Sequence, residues 1–174
     1  MKTIRLFSVA LAMLFAMGAN AQIFKDGHFV GNFNIGGVTG KGGFSKAAFG
    51  IGLGYQTREL YNCDYVSLAW DVFQFEWNAP FDSPGDLDFL GFKTGARAFS
   101  PSFAKDKLRG YTNLAMGYTL GLWSFGSDTQ AESAFGLTWG IGLQYNQKWS
   151  LGYTLEYESN GTSKCHFATV AYTF

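Results

Sequence analysis

Apolar side chains recur at every second position through eight separate stretches of this chain, and that period leaves few folds open. An extended strand sends successive side chains to opposite faces, so a period of two marks strands with one apolar face. The stretches are about 28–37, 46–57, 64–77, 88–99, 108–123, 135–145, 149–158 and 165–174. In the sixth, Phe135, Leu137, Trp139, Ile141, Leu143 and Tyr145 alternate with Gly136, Thr138, Gly140, Gly142 and Gln144. In the third the phase switches. Val66, Leu68, Trp70 and Val72 share one face, then Phe73, Phe75 and Trp77 do, which predicts a β-bulge near Val72-Phe73. Turn-forming pieces such as Gly40-Lys41-Gly42-Gly43 and Ser159-Asn160-Gly161-Thr162 separate the stretches. The pattern predicts one all-β domain, a meander of hairpins.

The first residues follow a different rule. Lys2 and Arg5 precede an apolar run from Leu6 to Met17, and Ala19-Asn20-Ala21 offers the small residues a signal peptidase reads. Residues 1–21 read as a cleavable secretory signal and 22–174 as the mature domain. Cleavage takes Lys2 and Arg5 from the 13 basic residues and leaves all 13 acidic ones, a net charge of −2. No basic cluster points to nucleic acid: Lys105, Lys107 and Arg109 are offset by Asp106. After residue 22 no apolar run is long enough for a spanning helix. A secreted chain that is 18% aromatic then has two places to put its apolar faces: inside a soluble barrel or outside a membrane barrel.

The composition of the two faces favours the second. The apolar face is uniform and carries aromatics at its ends, Phe135 and Tyr145 in one stretch and Trp149 and Tyr157 in the next. Aromatic rings of this kind gather at bilayer edges. The opposite face is small and polar. Gly50, Gly52 and Gly54 would make a poor solvent surface but suit a narrow lumen, where long side chains from across the barrel need room. The fold predicted is an eight-stranded antiparallel up-and-down transmembrane β-barrel. An even strand count returns both termini to one side, the periplasmic side. The alternative is a soluble lipocalin-like carrier of a small apolar ligand.

The last strand, Phe167-Ala168-Thr169-Val170-Ala171-Tyr172-Thr173-Phe174, resembles the terminal strand of bacterial outer-membrane proteins. With the signal and the eight strands, the chain resembles the small OmpA/OmpX-like barrel superfamily, and its Ala21-Gln22 junction is similar to that of secreted Bacteroidetes proteins. The resemblance implies a Gram-negative outer-membrane location, contact with the bilayer and lipopolysaccharide, and recognition by the barrel-assembly machinery through Phe174. It implies a monomer and no particular activity.

Residues that could carry chemistry lie mostly on the inward phase: Asp71, Lys93, Arg97, Arg109, Glu156 and Glu158, joined by Gln74 and Glu76 if the bulge is real. Mixed signs in a lumen just wide enough for side chains predict a salt-bridged plug rather than a pore. Tyr157-Glu158-Ser159-Asn160-Gly161 is similar to the His-x-Ser-Asn setting of PagL-type lipid A deacylases, but Tyr157 stands where that family has its His. Ser159 thus lacks a base. His166 has the outward phase of Phe174 and Glu158 the inward one, so neither completes the set; His28 reads as an interfacial residue. No catalytic, cofactor or metal residue is assigned, and a non-enzymatic structural or surface-interaction role is expected. Cys63 and Cys165 are placed at opposite barrel ends, too far apart for a disulfide. The outer loops are expected at about 38–46, 78–87, 124–134 and 158–164, the second carrying Asp82 and Asp86 next to Asp88.

Overall fold

The computed structural model describes residues 26–40, 45–81, 86–125, 128–158 and 163–174. The expected signal at 1–21, and Asp82 and Ser159, lie outside these residues. The elements are β1 (His28–Gly40), β2 (Ser45–Gln56), β3 (Tyr61–Asn62), β4 (Ser67–Pro80), β5 (Asp86–Phe99), β6 (Leu108–Phe125), β7 (Asp128–Tyr145), β8 (Trp149–Glu158) and β9 (Ser163–Thr173). All neighbours are antiparallel, β1 pairs with β9, and β2 pairs with β4 to close the wall. The result is an eight-stranded barrel. β3, which the alternation did not signal, is a two-residue extension pairing with Ser67 and Leu68 at the end that holds the termini.

The register fixes the barrel's shape. Following paired residues around the wall from Val38, through Cys165, Glu156, Thr138, Ala115, Gly95, Asp71 and Gln56, returns to β1 at His28, ten residues from the start. That stagger over eight strands sets a tilt of about 40° and an interior that side chains fill.

The bulge is where the phase switch requires it. The β4–β5 ladder shifts between Asp71 and Gln74, and the β2–β4 ladder shifts opposite the same place. Leu68 and Trp70 face out before it, Phe75 after it. Val72 departs from the expectation that it shares the outer face: it is 2% exposed, turned away by the bulge. The connections are shorter than expected. β6 and β7 run on through Phe125 and from Asp128, so most of the loop expected at 124–134 is strand.

The barrel is inside out relative to a soluble one. Leu114, Trp149 and Leu151 are each more than half exposed, at 55, 54 and 61%, whereas Asp71, Lys93 and Glu156 are buried. A carrier of apolar ligands needs the reverse, which overturns the lipocalin-like alternative. Inside, two apolar clusters lie near the two ends. Val38, Ala48, Phe89, Cys165 and Phe167 fill the end where the β1–β2 and β8–β9 hairpins turn, and Ala69, Phe99 and Tyr111 fill the termini end.

Candidate functional site

The lumen between these clusters holds the charges. Alternation delivers them: Lys93 and Arg97 from β5, Glu156 from β8, Asp71 and, past the bulge, Glu76 from β4. Without the extra residue of the bulge Glu76 would face outward, so the bulge makes the site possible. Lys93 sits between two carboxylates, 2.8 Å from Glu76 and in contact with Glu156. Asn32 donates to the other oxygen of Glu76 at 3.2 Å.

A second cluster lies toward the termini. Arg97 donates to Asp71 through Nη2 at 3.1 Å and Nε at 3.3 Å, and the amides of Gln56 and Gln74 donate to the same carboxylate at 2.6 and 2.9 Å. The Tyr111 ring lies 5.2 Å below the guanidinium. Thr154, Thr169 and Asn34 form a neutral chain beside it. A cavity of 40 Å³ touched by Asn32, Gln74, Glu76 and Arg97 has room for a few waters. A Cβ on Gly50 would stand 1.9 Å from Asn78 Oδ1, and one on Gly52 2.4 Å from Asn32 Oδ1, so these glycines are the room the asparagines occupy.

A third pair closes the termini end. Arg109 stacks on Phe99 at 3.7 Å, donates to Gln144 Oε1 at 2.7 Å and pairs with Glu59. Glu59 escaped the sequence reading because it sits in a turn with no alternation; its path back across the mouth is tertiary. Partial burial pushes its carboxyl up, but hydrogen bonds from Arg109 and Ser67 and the charge of Arg109 outweigh this and hold it below its usual value. A depressed carboxylate stabilises the fold above its unfolded-state value and loses that contribution as pH falls through the folded one. Glu59→Gln is therefore expected to cost about 1 kcal/mol at pH 7. The wild type's advantage in urea titrations is expected to vanish as pH drops below the ordinary 4.5. An advantage constant with pH would refute the pairing.

The remaining candidates do not converge. Tyr157 is exposed on the outer face, and His166 faces out with its Nδ1 against the Tyr153 hydroxyl. Glu158, half-buried, has the inward phase beside Gly136. Cys63, in the turn before β4, and Cys165, inside the opposite end, are both free.

Solved structures place this architecture. The chain is similar to Neisserial surface protein A at a TM-score of 0.62, with 14% identity over 85% of this chain and 97% of that one. The fold is that of the small outer-membrane β-barrels. PagL, an outer-membrane enzyme, matches at 0.60 with 12% identity over 82% of this chain and 98% of that one. Ail, the attachment invasion locus protein of Yersinia pestis, matches at 0.57 with 18% identity over 85% and 97%. No protein-family model matches the sequence, and no curated protein does. At these identities the barrel is shared with an enzyme and with surface proteins alike, so activity rests on side chains.

Proposed function

We propose that this chain is a non-enzymatic integral protein of a Gram-negative outer membrane, of Bacteroidetes type, a closed barrel with a structural or surface-interaction role. One observation carries the reading: an apolar outer wall encloses ion pairs that satisfy one another between two apolar clusters. Lipid demands such closure, since a strand edge in hydrocarbon leaves polar groups unpaired. Both termini then face the periplasm and the β1–β2, β4–β5, β6–β7 and β8–β9 hairpins face outward. The barrel works as a monomer in contact with lipopolysaccharide, after removal of residues 1–21 and recognition of the strand ending in Phe174 by the assembly machinery.

Envelope fractionation with boiled and unboiled electrophoresis tests location. The expected result is an outer-membrane fraction whose unboiled band migrates apart; a soluble, heat-insensitive band would defeat the reading. In planar bilayers the closed lumen is expected to give no steady conductance. Lipid A mass profiles are expected to be unchanged by deletion, whereas loss of an acyl-chain difference on deletion, reproduced by Ser159→Ala, would establish a hydrolase instead.

A further inference from the structure

On the outward face of the barrel strands, Lys164 and His166 are the basic side chains among the described residues. Both sit on β9, two positions apart and so about 7 Å from each other on one face. β9 begins at Ser163, which puts Lys164 at the hairpin-end rim and His166 one step deeper. Lys164 Nζ lies 5.5 Å from the centre of the Tyr157 ring on β8. The Tyr153 hydroxyl, also on β8, is hydrogen-bonded to His166 Nδ1. Across β1 the wall is low: Gly37 pairs with His166 on one side and with Ala47 of β2 on the other. No tall side chain there screens the imidazole. Asp88, which shares the outward phase of Leu90 and Phe92, stands on β5, four strands away.

A cation facing hydrocarbon is expensive unless an anion or the interface meets it. The phenol of Tyr153 needs a partner in lipid and finds one in Nδ1. With that phenol donating, the imidazole carries its proton on Nε2, which makes no hydrogen bond among the described residues and belongs to the same outward face as Lys164. Two donors on successive outward positions of an otherwise apolar wall, on long side chains at its outer rim, can converge on one phosphate group.

We propose that Lys164 and His166, positioned by Tyr157 and Tyr153, seat a phosphate of an outer-leaflet glycolipid of the lipid A class. This rests on the reading of the hairpin end as the outer one. A phosphate at the rim would hold the β8–β9 wall, whose strands are the shortest of the eight, against the bilayer.

The test uses the folded barrel in uncharged maltoside micelles, titrated with bis-phosphorylated lipid A and with the same lipid A enzymatically dephosphorylated, followed by tryptophan fluorescence. Wild type is expected to bind the phosphorylated form at least about tenfold more tightly, the scale of two charge-assisted hydrogen bonds. A double variant, Lys164→Gln with His166→Gln, is expected to lose that preference. Lys46→Gln, an inward lysine at the same rim, is expected to keep it. A wild type blind to the phosphates, or a double variant that retains the preference, would overturn the seat. Unboiled electrophoresis of the same samples separates the two levels. A heat-modifiable barrel without phosphate preference sinks the seat alone, whereas a heat-insensitive, detergent-independent protein sinks the membrane reading beneath it.

Discussion

Replacing Lys93 with methionine is expected to destabilise the barrel by about 3–5 kcal/mol, enough to lose most of the folded, heat-modifiable band in moderate urea. The ammonium is the shared partner of Glu76 and Glu156, with side chains 4, 6 and 10% exposed. Its removal leaves the two carboxyl groups together without their cation, with Asn32 still donating to Glu76. Each carried its desolvation cost against the same cation, so neither can stay ionised cheaply. The three-residue cluster has one formal positive and two negative charges, which makes the partners unequal in the other direction. Glu156→Gln leaves a matched Lys93–Glu76 pair and is expected to cost far less than Lys93→Met. The triple variant Lys93→Met, Glu76→Gln, Glu156→Gln is expected to recover most of the loss, because neutral amides need no counter-ion. Urea midpoints from unboiled gels, in one detergent at one pH, order the variants. A Lys93→Met barrel as stable as wild type would mean that water reaches the carboxylates, and the plugged lumen would have to be given up.

The second large effect is steric and sits on the closing seam. Gly36 on β1 pairs with Phe167 on β9, and a Cβ built there would stand 1.8 Å from the carbonyl oxygen of His166 and 2.8 Å from Phe167 Cα. Both atoms are backbone, so no rotamer change relieves the contact. Gly36→Val is expected to cost at least about 3 kcal/mol and to leave a large fraction of the chain unclosed, running at its boiled position on unboiled gels. Gly31→Val is the matched control on the same strand. Its Cβ points outward and meets the Phe174 ring at 3.4 Å, an ordinary contact, so a change of about 0.5 kcal/mol or less is expected. Equal effects from the two substitutions would mean that loss of glycine itself matters, not the approach of β1 to β9.

The lumen was legible to different degrees at different residues. Asp71, Lys93, Arg97 and Glu156 could be placed inside from phase alone, because a strand offers two directions and the aromatic face claims one. Glu76 needed one further step, the bulge that the switch from Trp70 to Phe73 announces. Their partners were not legible. That Lys93 reaches both Glu76 and Glu156, while Arg97 reaches Asp71, depends on side-chain reach across a lumen whose stagger is set by closure. Glu59 carried no signal, since the turn that holds it is irregular and its partner Arg109 is fifty residues away.

Read by itself, the chain therefore determined its strands, their faces and the side of the wall on which each charge stands. Period and phase are local properties, written into consecutive residues. Tertiary structure alone decided the ten-residue stagger, the partner of each charge, the return of Glu59 over Arg109, and the meeting of Lys164 and His166 with tyrosines of the neighbouring strand. These depend on which strands lie side by side and at what height, and closing the wall between β1 and β9 fixes both at once.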